Sequence, residues 1–104
     1  MSTQGDGEPI RYSVHASGQV RADIRALHRK AWQAGKGPEF RRRLRQIVDR
    51  LREDPAGLGE ALYRLPALKI LVYVAVVAPL IVHYGVPEER PLVFIRGISE
   101  LSQL

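Results

Sequence analysis

Ile70-Leu-Val-Tyr-Val-Ala-Val-Val-Ala-Pro-Leu-Ile-Val82 is a run of thirteen apolar residues, and its reading decides the fold. The run is rich in Val and Ile, whose branched Cβ atoms suit a pleated strand better than a helix, and Pro79 interrupts it. Two buried strands that reverse near Val77–Pro79 follow from this. The rival is a membrane-spanning helix, which needs about 20 predominantly apolar residues. Stretching the window back to Leu65 takes in Lys69 and leaves Pro79 near one end, so no membrane segment is expected. Neither Asn-Gly nor Asp-Gly marks the reversal, which leaves its exact position open.

The flanks carry clearer signals. Downstream, Gly85-Val-Pro-Glu-Glu-Arg-Pro91 is a turn-forming stretch that separates the second strand from a third, Leu92-Val-Phe-Ile-Arg96. Upstream, Ile10-Arg-Tyr-Ser-Val-His15 alternates apolar and polar residues and predicts a short opening strand. Ser17 can then cap a helix by accepting from a free first-turn N–H. Val20, Ile24, Leu27 and Ala31 recur at helical spacing, and Gly35-Lys-Gly37 ends that helix. Pro38 suits the first turn of a second helix, whose apolar stripe is Phe40, Leu44, Ile47, Val48 and Leu51. That helix stops at Glu53-Asp-Pro55. The expected order is β-α-α-β-β-β, an α+β fold with a helical hairpin packed on one face of a small antiparallel-rich sheet.

The chain has 104 residues with 16 Lys and Arg against 11 Asp and Glu, giving a net charge of +5. One domain over residues 10–104 is the natural reading, with residues 1–9 a disordered polar tail. The opening Met-Ser-Thr-Gln-Gly-Asp-Gly-Glu8 lacks the apolar core of a secretory signal, and a cytoplasmic location is expected. The absence of cysteine excludes a disulfide scaffold, a thiolate metal site and a Cys nucleophile. The charge is unevenly spread. Between Arg11 and Arg52 twelve basic residues face three acids, whereas the rest of the chain is net acidic. Such a stretch suits an acidic partner, whether nucleic acid or an acidic protein segment. It is also what an ordinary solvated helix face looks like.

Most catalytic signatures are missing. There is no Gly-rich phosphate loop, no Gly-x-Ser-x-Gly and no His pair at metal-ligand spacing, so neither a metal nor a cofactor is expected. One constellation remains. Strand alternation places Lys69, Leu71 and Tyr73 on one face of their strand and Ile70, Val72 and Val74 on the other. If the latter face packs on the helices, Lys69 and Tyr73 lie on the open face. With His83 and Arg96 they could hold a phosphate and move a proton, His83 acting as base or acid and Lys69 supplying charge. The bland alternative is a solvated sheet face with scattered polar residues. The second candidate is the run Arg41-Arg-Arg-Leu-Arg45, in which Arg41, Arg42, Arg43 and Arg45 would contact phosphates or an acidic partner. No aromatic stacking platform accompanies it.

Element order and several segments together resemble the RelE/ParE superfamily of toxin–antitoxin toxins, which includes plasmid stabilisation proteins. The features are the opening strand Tyr12-Ser-Val-His-Ala-Ser17 running into a helix, and a basic second helix closing as Ile47-Val-Asp-Arg-Leu-Arg-Glu-Asp-Pro55. Gly57-Leu-Gly-Glu-Ala61, Leu80-Ile-Val-His-Tyr-Gly-Val86 and Leu92-Val-Phe-Ile-Arg96 follow. The resemblance implies a small basic cytoplasmic protein neutralised by a cognate antitoxin. The RelE-like branch cleaves messenger RNA on the ribosome, and the ParE-like branch acts on DNA gyrase. Lys69 matches a basic sheet position of the nuclease branch, while Leu71 and Ile81 stand where further basic residues would fall. Three readings result: a toxin-like protein acting by protein binding or diverged to inactivity, a ribosome-associated messenger-RNA endoribonuclease with a remodelled site, and a non-toxic basic interaction module. In the last, an unpaired sheet edge could build a homo-oligomer.

Overall fold

The computed structural model describes residues 10–101, so the expectation for the N-terminal tail lies outside the described residues. The chain runs β1 (Ser13–Ala16), α1 (Gly18–Gln33), α2 (Gly37–Glu53), α3 (Pro55–Leu58), β2 (Glu60–Leu65), β3 (Ile70–Val77), β4 (Leu80–Pro87) and β5 (Leu92–Glu100). The five strands form one sheet in the order β1-β5-β4-β3-β2. β1 lies parallel to β5, with Ser13 opposite Leu92 and Ala16 opposite Ile95. The other pairs are antiparallel. The α+β class and the helical hairpin on one sheet face are as expected.

Local chemistry accounts for the helices. The Ser17 hydroxyl accepts from the Val20 N–H at 3.2 Å and caps α1. Gly35 takes a left-handed φ of 76°, which glycine adopts without a Cβ clash, and turns the chain out of α1. Asp54 caps α3 by accepting from the Gly57 N–H at 3.1 Å. From α2, Phe40, Ile47 and Leu51 enter the core, as the helical stripe predicts.

The apolar run forms the β3–β4 hairpin. Val77 pairs with Leu80, so Ala78 and Pro79 alone make the reversal, with the peptide bond between them cis. The orientation of the hairpin differs from the conditional reading. Tyr73, Ala75, Leu80, Val82 and Tyr84 belong to the core beneath the helices, with Leu71 and Val77 packed against them. Tyr73 and Tyr84 face each other in register, their rings stacked 5.2 Å apart and inclined by 5°. The Tyr84 hydroxyl donates to the Pro55 carbonyl at 2.6 Å. That contact explains the choice of face: a buried phenol needs an acceptor, and the helical layer supplies one. Because both faces of the run are apolar, alternation carries no signal to discriminate them.

A further strand, β2, was not expected. Its residues Glu-Ala-Leu-Tyr-Arg-Leu do not alternate, and a register shift between Ala61 and Tyr63 interrupts its pairing with β3. β2 is the outer strand on that side of the sheet, and all of it except Leu65 is exposed.

Candidate functional site: the open sheet face and the basic helix

The face turned away from the helices is built in register. Tyr63 stands opposite Val72, Val72 opposite Gly85, Gly85 opposite Phe94, and Phe94 opposite His15. These positions form one row across all five strands. The His15 and Phe94 rings lie 5.8 Å apart at its β1 end. In the next row His83 is flanked by Val74 and Gly97, neither of which carries a polar side chain. A register shift between His83 and Tyr84 inserts an extra residue into β5 and re-aims that strand next to Arg96.

Arg96 crosses the face. Its Nη1 donates to the Tyr63 hydroxyl at 3.4 Å, a long bond that links β5 to β2 across the two strands between. Gly85 lies beneath this path: a Cβ there would stand in ordinary contact with Arg96 Cδ at 3.8 Å but crowd Ile70 Cγ2 at 3.0 Å. Tyr63 was not singled out from the sequence. Its signal is weak, because the register shift in β2 breaks the alternation that would have placed it on this face.

The sequence-derived constellation is only partly assembled. His83 and Arg96 are exposed on the open face. Tyr73 is corrected: it is buried under the helices, stacked on Tyr84, and not on the open face. Lys69 precedes β3, in the turn from β2, at a left-handed φ of 52°. Its amine lies 3.2 Å from Glu89 Oε2, in an exposed ion pair. Beside it Arg64 grips Glu88 through two hydrogen bonds, the second at 3.1 Å. The Arg64 hydrogen bonds hold the Glu88 carboxyl below its ordinary range and raise the Arg64 guanidinium above its own. The positive charge of Lys69 is thus committed at one end of the sheet. Leu71 is packed against the core on the helix side, and Ile81 is half-buried.

The arginine run divides. Arg41, Arg42 and Arg45 are exposed on α2. Arg41, Arg45 and Arg52 rim a shallow trough floored by Leu44 and Val48. Arg42, Arg45 and Arg50 rim a second. Arg43 points elsewhere: Nη1 donates to Gln46 Oε1 at 3.2 Å, and its Nε is buried without an acceptor among the described residues. Among the described residues no group of three or more His, Cys, Asp or Glu is placed to hold a metal, and no helix is long and apolar enough to cross a membrane.

A helical hairpin on a five-stranded sheet with one parallel edge pair defines a RelE-like fold, and solved structures bear this out. A chain of the archaeal RelE–RelB complex from Pyrococcus horikoshii OT3 superposes with a TM-score of 0.65 at 17% identity, covering 90% of this chain and 99% of that one. A chain of the RelBE2 toxin–antitoxin complex from Mycobacterium tuberculosis gives a TM-score of 0.59 at 19% identity, covering 88% of this chain and 99% of that one. No protein-family model matches the chain, and no curated protein matches it by sequence.

Proposed function

We propose that this chain is the toxin-like component of a bacterial type II toxin–antitoxin module, cytoplasmic and neutralised by a cognate antitoxin, and that it acts by contact with a protein target. The observation that carries the reading is the division of the would-be nuclease set. Lys69 is paired with Glu89 in a turn, Tyr73 is buried, and His83 lies between Val74 and Gly97. General acid–base catalysis needs groups converging on one reacting atom, and the open face instead carries imidazoles on non-adjacent strands, His15 on β1 and His83 on β4, and a bridged arginine. The two structural neighbours come from complexes with an antitoxin, which supports an antitoxin partner for this chain. The basic surface of α2 suits an acidic one.

A second reading, a ribosome-associated messenger-RNA endoribonuclease, is favoured by one specific observation: His83, Arg96 and Tyr63 share the open face. The two readings separate in one experiment. Wild type, Lys69→Ala and His83→Ala are induced in a bacterial host while growth and transcript integrity are followed together. Growth arrest with intact transcripts in all three is expected, and it points to a protein target such as gyrase. Transcript cleavage lost in His83→Ala establishes the nuclease. Absence of any arrest leaves a non-toxic interaction module.

A further inference from the structure

Three arginines of α1, Arg21, Arg25 and Arg29, follow one another at a spacing of four residues. On a helix that period stacks them nearly one above another, about one per turn, over about 12 Å of its length. All three are exposed, on a side turned away from the core stripe of Val20, Ile24, Leu27 and Ala31. α2 adds a fourth. His28 stacks on Phe40 with ring centres 5.3 Å apart, and Gly37 lies against the Trp32 indole, so the end of α1 meets the start of α2. Arg29 and Arg41 each directly follow a residue of that contact, and Arg41 is exposed as well.

The charge of this row is uncommitted. Among the described residues the ion pairs occupy Lys30, Arg52, Arg64 and Lys69, and none of the four arginines is in one. The single acid of α1, Asp23, accepts from Gln19 at 2.9 Å on another flank of the helix. Glu39, near Arg41 in sequence, lines the hollow beside Pro79 and Leu80 instead.

The surroundings of the row favour a phosphate backbone over an acidic protein. Ala22 and Ala26 lie between the arginines and offer only methyl groups. Protein partners draw most of their affinity from large side chains seated in pockets, and an acidic segment would find no such seat here. A duplex carries closely and evenly spaced phosphates and needs charge alone. Single strands add bases stacked on aromatic rings. α1 carries one such ring, Trp32, whose indole N–H is already bonded to His28 at 2.7 Å.

We propose that Arg21, Arg25, Arg29 and Arg41 form a rail that grips the phosphates of duplex nucleic acid without reading base sequence. The row is separate from the open sheet face and shares only Arg41 with the first α2 trough. It goes beyond the protein-target reading and does not depend on it.

The test is fluorescence anisotropy of a short labelled DNA duplex titrated with the full chain, at salt from about 50 to about 200 mM. Four phosphate contacts predict a slope of about −3.6 in log affinity against log salt, a loss of about 150-fold across that range. Arg25→Gln should reduce the slope by about one. Arg21→Gln, Arg25→Gln and Arg29→Gln combined should leave only about a threefold loss. Arg90→Gln removes the same charge from the exposed β4–β5 turn and should leave the slope unchanged. Circular dichroism of each variant shows that it is folded. A duplex of permuted sequence should bind within about twofold, because phosphate contacts carry no sequence information. An RNA duplex in the same titration shows which duplex is preferred, and binding of either supports the rail. Four results overturn it: no binding at the lowest salt, an unchanged slope in the triple variant, an equal fall in Arg90→Gln, or binding of a single strand or a polyglutamate peptide as tight as the duplex. A chain that fails to arrest growth leaves this test standing, and a chain that fails to bind duplexes leaves the growth phenotype standing.

Discussion

Arg96 and Tyr63 are joined by a hydrogen bond of 3.4 Å that runs from β5 to β2 with Gly85 beneath the arginine. Two strands separate the partners, so the pair works as a tie laid across the open face. It lies in solvent, and its own contribution to stability is small.

The glycine under the tie matters more than the tie. In Gly85→Val the added side chain meets Ile70 Cγ2 at about the 3.0 Å where a Cβ would stand, and displaces the Arg96 stem. A loss of ~1–3 kcal/mol is expected for such overpacking. Tyr63→Phe, which removes only the exposed bond, should change stability by less than ~0.5 kcal/mol. Denaturant midpoints of the two variants check the order, and equal midpoints would refute it.

Tyr84 makes the fold sensitive to alkali. Burial pushes its phenol up from 10.0 to about 12, against a lowering hydrogen bond from the Gly59 backbone N–H. The unfolded phenol ionises near pH ~10. The contribution of Tyr84 is therefore fully present below pH ~10 and is lost as pH rises through the folded value of about 12. Tyr84→Phe should flatten the stability profile in that window. At neutral pH it should cost ~1–3 kcal/mol, because the Pro55 carbonyl loses its donor. Unfolding curves at pH 7 and across the alkaline window measure both effects.

Lys69 holds a left-handed backbone conformation that its side chain disfavours. Lys69→Asn, which tolerates that region, should raise stability by up to ~1 kcal/mol while removing the exposed pair with Glu89. A lower unfolding midpoint in Lys69→Asn would show that the ion pair outweighs the backbone strain.

Gly37 lies against the indole of Trp32, where a Cβ would come within 2.2 Å of Cδ2. The indole N–H donates to His28 Nε2 at 2.7 Å, and His28 stacks on Phe40 at 5.3 Å. Gly37→Ala should push the ring outward and break the His28 contact. Because the clash falls on the base of the indole and costs its bond to His28, a stability loss of ~1–3 kcal/mol is expected. The emission of this single tryptophan should shift to the red, and an unchanged spectrum would contradict the packing described.

The legible parts of the fold were those with one-sided chemistry. Ser17, the α1 and α2 stripes and the alternation around Val14 each separate a wet side from a dry one, and each formed close to its reading, although β1 begins at Ser13 rather than Ile10 and Val48 lines a surface trough instead of the core. The run from Ile70 to Val82 is apolar on both sides, so its strands were visible but its orientation was not. Orientation depended on a partner for the Tyr84 hydroxyl, supplied by Pro55, twenty-nine residues earlier in the chain. β2 escaped notice because its register shift erases the two-residue period, and Tyr63 went with it. Of the candidate site, His83 and Arg96 are exposed on the open face, but alternation did not put them there: it grouped His83 with Tyr73, which lies on the other face, and the register shift at Arg96 breaks the two-residue period. Lys69 and Tyr73 do not join them, since the first lies outside the strand and the second belongs to the hidden face. The exposed arginines of α2 were read from helical spacing, whereas the unpartnered Arg43 Nε depends on packing that no spacing reveals.

β1 touches the sheet only through β5, Ser13 meeting Leu92 and Ala16 meeting Ile95. On the ribosome β1 must wait for β5, which is made after the other described strands. Until Leu92–Glu100 has emerged, β1 has its helical neighbours but no strand partner among the described residues. Loop closure over nearly the whole described chain then completes the fold in a single late step, a topology that makes for slow folding. A truncated nascent chain would carry the basic helices and the apolar hairpin without their closing strand, which exposes it to proteases before it can act.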